Sequence, residues 1–234
     1  MNKFLTIVFL FFIGSMYGWI QEVIFRRVVH KKWINPGFLT GPCLPIYGFG
    51  LLGLYTISLL DFSFVNNPVL EKIIIIVLIM VVMTLIEYIA GLIFIKGMKI
   101  KLWDYSSEWG NIQGIICPLF TFFWGLIGAI YYFFIHSHII GAVNWLSNHL
   151  SFSFVLGMFV ALLIVDLCYS LNLSFKIRKW ATENNIVVKY EKFKENVNEK
   201  KKALKEKASF MFNLITLKNV REELDNYLKK IKNK

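Results

Sequence analysis

Three carboxylates stand where apolar sequence should exclude them. Glu22, Glu87 and Asp166 interrupt long runs of Leu, Ile, Val and Phe. An ionisable group in such a run costs about 3 kcal/mol on insertion scales, so it turns toward protein and has a partner or a task. Burial raises a carboxylate pKa and can hold a proton on it near neutral pH. That chemistry suits proton-coupled transport or general acid catalysis, and the residue types do not choose between them. Arg26, Arg27 and His30 lie within one turn or two of Glu22 and are candidate partners. A plainer role competes in each case: a snorkelling carboxylate for Glu22, a bundle-bracing hydrogen bond for Glu87 and Asp166.

Two polar, glycine-bearing segments add to these. The first, "INPGFLTGPCLPIYGFG" (34–50), holds Pro36, Pro42 and Pro45 with Gly37, Gly41, Gly48 and Gly50. Its prolines remove donors and resist a regular helix, while its glycines permit tight turns and close backbone approach. Two readings stand: a rigid loop with a helix start, where Pro is welcome in the first turn, or an unwound segment lining a site. The second, "LWDYSSEWGNIQGIICP" (102–118), supplies Asp104, Glu108, Asn111 and Gln113 beside Trp103, Tyr105 and Trp109. The candidates for a polar cavity or substrate site are thus Glu22, Asn35, Gly37, Gly41, Pro45, Tyr47, Glu87, Asp104, Tyr105, Asn111 and Asp166.

The elements that must position them are membrane helices. Of 234 residues, 56% are hydrophobic and 17% aromatic, and the mean hydropathy is +0.56, more apolar surface than a soluble domain needs. Five candidate spans appear, roughly Phe4–Phe25, Leu44–Leu60, Val69–Ile95, Ile112–Ile135 and Phe152–Phe175, the second short and broken at its start. The first lacks a convincing cleavage site and reads as an uncleaved span rather than a signal peptide. Basic connections alternate with non-basic ones. Arg26, Arg27, Lys31 and Lys32 follow span one, and Lys96, Lys99 and Lys101 follow span three. Lys72, at the start of span three, is the only basic residue near the connection from span two, and no Lys or Arg lies between four and five. Basic loops stay in the cytoplasm, so the N-terminus is expected outside and the C-terminus inside. All three carboxylates then fall in the cytoplasmic half, and residues 35–47 are expected to pack on the 102–118 segment. The fold class is an all-α integral membrane protein: a transmembrane domain, 1–176, and a basic cytoplasmic helical tail, 177–234.

The net charge of +11 is uneven, with +8 of it after residue 176. Beside a membrane anchor, attraction to anionic lipid is a simpler account than nucleic acid, and no nucleic-acid partner is expected. In the tail, Tyr190, Phe193, Val197, Leu204, Ala208, Met211 and Ile215 form a heptad-like stripe. Asn219 with Glu222 resembles a cap box before a helix carrying Val220, Leu224, Leu228 and Ile231. A solvated helix, a membrane-surface helix and a coiled coil or docking helix all fit.

Four stretches in order, "GWIQEVIF" (18–25), "NPGFLTGPCLPIYGFG" (35–50), "LIEYIAG" (85–91) and "LWDYSSEWGNIQGIICP" (102–118), resemble the bacterial ABC-transporter type IV membrane family over about residues 5–135. That family's first loop usually reads N-R-G-F-L, and Pro36 stands here in place of the Arg. The resemblance implies a permease in the bacterial cytoplasmic membrane, working with a separate ATPase subunit. No G-x-x-x-x-G-K-[ST] occurs in the chain, as a permease without its own ATPase requires. Five spans call for a homodimer to form a path, and Gly14 with Gly18 makes a G-x-x-x-G packing face.

Other chemistry is thin. Cys43, Cys117 and Cys168 are too few and scattered for a disulfide framework or a C-x-x-C pair. His136, His138 and His149 read as solvated residues of the loop between spans four and five. No acidic residue or Cys joins them, so no metal site is expected, nor any cofactor or catalytic motif. Two rival functions remain beside the permease. One is a membrane-embedded enzyme with a cytoplasm-facing acidic site, and the other is a scaffold or regulator acting through its tail.

Overall fold

The computed structural model describes residues 3–31, 33–204 and 224–227. Among these, helices dominate: α1 (Lys3–His30), α2 (Pro45–Ser58), α3 (Pro68–Leu92), α4 (Pro118–Ile130), α5 (His136–Asn148), α6 (Ser153–Glu183) and α7 (Tyr190–Leu204). Two two-residue strands, β1 (Ile100–Lys101) and β2 (Val188–Lys189), pair in parallel, Ile100 opposite Val188. Three helices begin on proline, at Pro45, Pro68 and Pro118, where the missing N–H is no loss. Asn67 caps α3, its Oδ1 accepting the N–H groups of Val69 and Leu70 at 2.9 and 3.2 Å.

Four helical stretches are long and apolar enough to cross a membrane: Lys3–Val29, Pro68–Gly97, Pro118–Asn148 and Leu150–Glu183. They correspond to spans one, three, four and five of the sequence reading. The second expected span, Leu44–Leu60, is not among them. Its helix, α2, has 14 residues, or about 21 Å at 1.5 Å per residue, against a hydrocarbon core of about 30 Å. The third stretch, Pro118–Asn148, also differs from expectation. A π turn, Tyr131–Ile135, carries α4 directly into α5. His136 and His138 therefore sit on a helix, not in a loop. His136 is buried, with its Nδ1 3.1 Å from the Tyr131 hydroxyl and its ring 5.8 Å from that of Tyr55.

The chain divides into two compact units. One comprises α1 through Tyr17, Pro45–Ala90 and Asp104–Phe159. Its apolar interior has two clusters. Leu54, Ile57, Ile75, Ile79, Met83 and Tyr131 make one, and Phe9, Leu10, Val143, Leu146 and Leu156 the other. Gly14 and Gly48 bring α1 against α2. A Cβ on Gly14 would lie 2.7 Å from the Tyr47 carbonyl oxygen and 3.0 Å from the Gly48 Cα. The glycine step expected to serve a helix–helix contact thus has its partner within the chain at Gly14.

The other unit comprises Gly18–Leu44, Gly91–Trp103 and the chain from Val160 onward. Its core joins Ile100, Leu173, Ile177, Trp180, Val188, Tyr190, Phe193 and Val197 with Leu224 and Tyr227. The first part of the tail stripe is therefore core, built on the inner face of α6, and the boundary expected after residue 176 falls inside that helix. Ala208, Met211 and Ile215 of the stripe, and Asn219, Val220, Glu222, Leu228 and Ile231 of the expected second tail helix, lie outside the described residues, while 224–227 of that helix are described and helical.

Candidate functional site

The sequence candidates sort into two groups. Glu22, Asn35, Gly37, Gly41 and Asp166 belong to the second unit; Pro45, Tyr47, Glu87, Asp104, Tyr105 and Asn111 belong to the first.

In the second unit, residues 33–44 have no helix or strand, so their peptide groups need other partners. Those partners are side chains. Asn35, 1% exposed, donates from Nδ2 to the Thr40 carbonyl at 2.6 Å, while its Oδ1 accepts the Trp19 indole N–H at 2.6 Å. Asp166 on α6 holds the next turn: Oδ1 accepts the Thr40 N–H (3.0 Å) and hydroxyl (2.6 Å), and Oδ2 accepts the Gly41 N–H (2.8 Å). The Ser170 hydroxyl, one turn along α6, donates to Oδ1 at 3.1 Å. Four donors saturate this carboxylate, which makes it a clamp on the loop. A Cβ at Gly41 would lie 3.0 Å from Asp166 Oδ2, so a side chain there would press on the clamping carboxylate. Gly37 is required by its backbone, at φ +75°.

Helix α7 completes the loop's satisfaction. Lys194, 5% exposed, donates from Nζ to the carbonyls of Gly37 (2.7 Å) and Asn35 (3.3 Å). The Tyr190 hydroxyl reaches the Phe38 carbonyl at 3.5 Å. Burial first, and then the Arg26 guanidinium, push the Lys194 ammonium down to about 7, against the opposite pull of Asp166. Burial, and next the charge of Asp166, raise the Tyr190 phenol. Arg26 bridges Glu22, at 3.0 Å, and Glu191 on α7. Glu22 therefore has an ion-pair partner on its own helix. A cavity of ≈ 20 Å³, room for one water, lies among Arg26, Asn35, Gly37, Tyr190, Glu191 and Lys194.

In the first unit the centre is Glu87 on α3, 5% exposed. Its Oε1 accepts the Tyr105 hydroxyl and its Oε2 the Trp124 indole N–H, both at 2.9 Å. Phe120 stacks on Tyr105 with ring centroids 4.1 Å apart and planes 9° from parallel. Burial, and then the Glu87 charge, raise the Tyr105 phenol, with Tyr47 adding to the effect. Tyr105 is thus held as a neutral donor aimed at the carboxylate. Asp104 and Asn111 brace their own loop. Asp104 accepts from the N–H and hydroxyl of Ser106. Asn111 donates to the Glu108 carbonyl at 2.8 Å and accepts the Gly114 N–H at 3.0 Å. Pro45 opens α2.

Sequence reasoning missed Trp124, Phe120, Trp19, Tyr190 and Lys194 as parts of these clusters. Trp124 and Trp19 read as ordinary aromatics of apolar spans. Lys194 is one of 16 Lys/Arg after residue 176 and carried no local mark of burial. The one available signal was its place on the apolar side of the stripe, one residue after Phe193. Among the described residues no group of three or more His, Cys, Asp or Glu is arranged to hold a metal ion.

No curated protein and no solved structure matches the chain. One family profile does, across residues 9–171, a stretch that includes Trp19, Asn35, Glu87, Tyr105, Trp124 and Asp166. The chain is a multi-pass membrane protein that belongs to the family described as Putative ABC-transporter type IV.

Proposed function

We propose that the protein is the permease component of an ABC-type transport system in the bacterial cytoplasmic membrane, working with a separate ATPase subunit. The observation that carries this reading is the broken second span. A 14-residue helix follows an irregular segment whose peptide groups are met by the side chains of Asn35, Asp166 and Lys194. Irregular backbone of that kind is tolerated at membrane depth only where protein or a cavity satisfies it, and transporters use it to build sites. On this reading 33–58 crosses as one discontinuous span, the N-terminus is outside and the C-terminus inside, in keeping with the alternation of basic loops. The substrate is engaged at Glu87, whose carboxylate is presented with a hydroxyl and an indole N–H. Asp166, with four donors, holds the loop rather than cargo. A homodimer supplies the full path.

The test is affinity purification of the full chain in mild detergent after cross-linking in the membrane. Co-purification of an ATPase in stoichiometric amount is expected. Recovery of the intact chain with no ATPase overturns the permease assignment. Single-cysteine labelling tests the topology: a cysteine at Ser63 should react from outside and one at Lys101 only after permeabilisation. External labelling at Lys101 would overturn the five-crossing arrangement.

A further inference from the structure

The outer face of α6 carries a feature that the transport reading does not use. Leu173, Ile177, Trp180 and Ala181 are buried in the core of the second unit. Helical spacing therefore turns Phe175, Arg178, Lys179 and Thr182 outward, and all four are exposed. With Glu183 they line a shallow, wide-open hollow of ≈ 460 Å³ on the surface. Neither the Arg178 nor the Lys179 side chain has a hydrogen-bond or ion-pair partner among the described residues.

Depth along the helix says what meets this hollow. Exposed apolar side chains run from Phe154 through Met158, Leu162 and Val165 to Phe175. At 1.5 Å per residue that stretch covers about 32 Å, close to the roughly 30 Å of a bilayer's hydrocarbon core. Arg178 and Lys179 come about 5 Å further on, at the level of lipid phosphates. Phe175, 57% exposed, stands on the hydrocarbon side. The guanidinium fork of Arg178 matches two phosphate oxygens, and Lys179 adds a second charge. The Thr182 hydroxyl is already committed to the Arg178 carbonyl at 2.9 Å. Glu183, one residue past Thr182 at the end of α6, lines the side away from Phe175.

We propose that this hollow is a binding site for the headgroup phosphate of an anionic phospholipid, with Phe175 against the upper acyl chains. It anchors the end of α6, on which Asp166 holds the 33–44 loop.

The experiment uses the full chain in dodecyl maltoside, with phosphatidylglycerol or phosphatidylcholine added and bound lipid counted by native mass spectrometry. Phosphatidylglycerol should be retained and phosphatidylcholine largely lost. The double variant Arg178→Gln/Lys179→Gln should bind phosphatidylglycerol about tenfold more weakly, since each basic group near anionic lipid contributes appreciably. Lys189→Gln/Lys192→Gln, which removes the same charge from exposed positions on β2 and α7, should change binding less than about twofold. Arg178→Lys, keeping the charge without the fork, should fall between wild type and the double variant. Equal retention by the double variant, or an equal loss in the Lys189/Lys192 control, overturns the site. Displacement of the lipid by soluble glycerol phosphate at equal concentration overturns the lipid as its occupant.

Discussion

Replacing Asp166 should open the 33–44 loop while leaving the rest of the chain folded. Its two oxygens accept the backbone N–H groups of Thr40 and Gly41 and the hydroxyls of Thr40 and Ser170, at 2.6–3.1 Å. In Asp166→Ala both N–H groups lose their acceptor, and each orphaned buried donor costs about 1–3 kcal/mol. Because the losses are not additive and Asp166 is itself part-exposed, about 3 kcal/mol is a reasonable sum. Asp166→Asn keeps the shape. It must turn its NH₂ toward either the Gly41 N–H or the Thr40 pair, which loses one charge-assisted bond worth about 1.5–3 kcal/mol. The loop carries its own reporter: Cys43 is 5% exposed. In a Cys117→Ala/Cys168→Ala background, thiol labelling of Cys43 measures loop opening. A 3 kcal/mol weakening should speed labelling about a hundredfold in Asp166→Ala, and roughly tenfold in Asp166→Asn. Cys117, alone in the complementary background, should keep its wild-type labelling rate below the melting temperature. If Cys43 labels no faster in Asp166→Ala, or if both cysteines accelerate together, Asp166 is not a local clamp and the account of the loop is wrong.

Lys194 gives a pH signature. Its folded pKa of about 7 lies below the unfolded value of 10.5, so between them the unfolded chain holds more protons. Stability from this group must then rise with pH above 7, by at most about 1.4 kcal/mol per unit, and flatten above 10.5. Melting temperatures in detergent should show the wild type gaining on Lys194→Met from pH 7 to 9, and a gap that shrinks or stays constant would refute the buried ammonium. Tyr105→Phe leaves Glu87 Oε1 without its donor and should cost about 1–2 kcal/mol in thermal unfolding. Glu87→Gln should express normally yet lose transport, so a fully active Glu87→Gln variant would remove Glu87 from the substrate path. Gly14→Ala drives a Cβ onto the Tyr47 carbonyl and should destabilise by about 1–3 kcal/mol. Gly157→Ala, with nothing within 4 Å, should be neutral or stabilising, as compared melting curves would show.

Apolar length and composition by themselves determined that this chain crosses a membrane several times, because a bilayer accepts only helices long enough to bury their own hydrogen bonds. The cost of an ionisable group among apolar residues marked Glu87 and Asp166, and the prolines and glycines of 34–50 marked a segment that a regular helix could not occupy. What each of these meets was not legible. The four motifs fold as two pairs, Trp19 with Asn35 and Glu87 with Tyr105, and nothing in their order along the chain states that pairing. Loop 102–118 looked like the natural supplier of partners for the 33–44 backbone, since it is rich in amides and carboxylates. Partners of that backbone also come from Asn35, from Asp166 and from Lys194 and Tyr190 of the tail, none of which its own sequence announces. Local periodicity shows which face of α7 is apolar but not what covers it, so Lys194 read as one basic residue among many. Only the packing of α7 onto the core of Ile100, Leu173 and Ile177 buries its ammonium among peptide carbonyls. Burial is a property of what lies opposite in space, and tertiary structure alone brings residues 35 and 194 together.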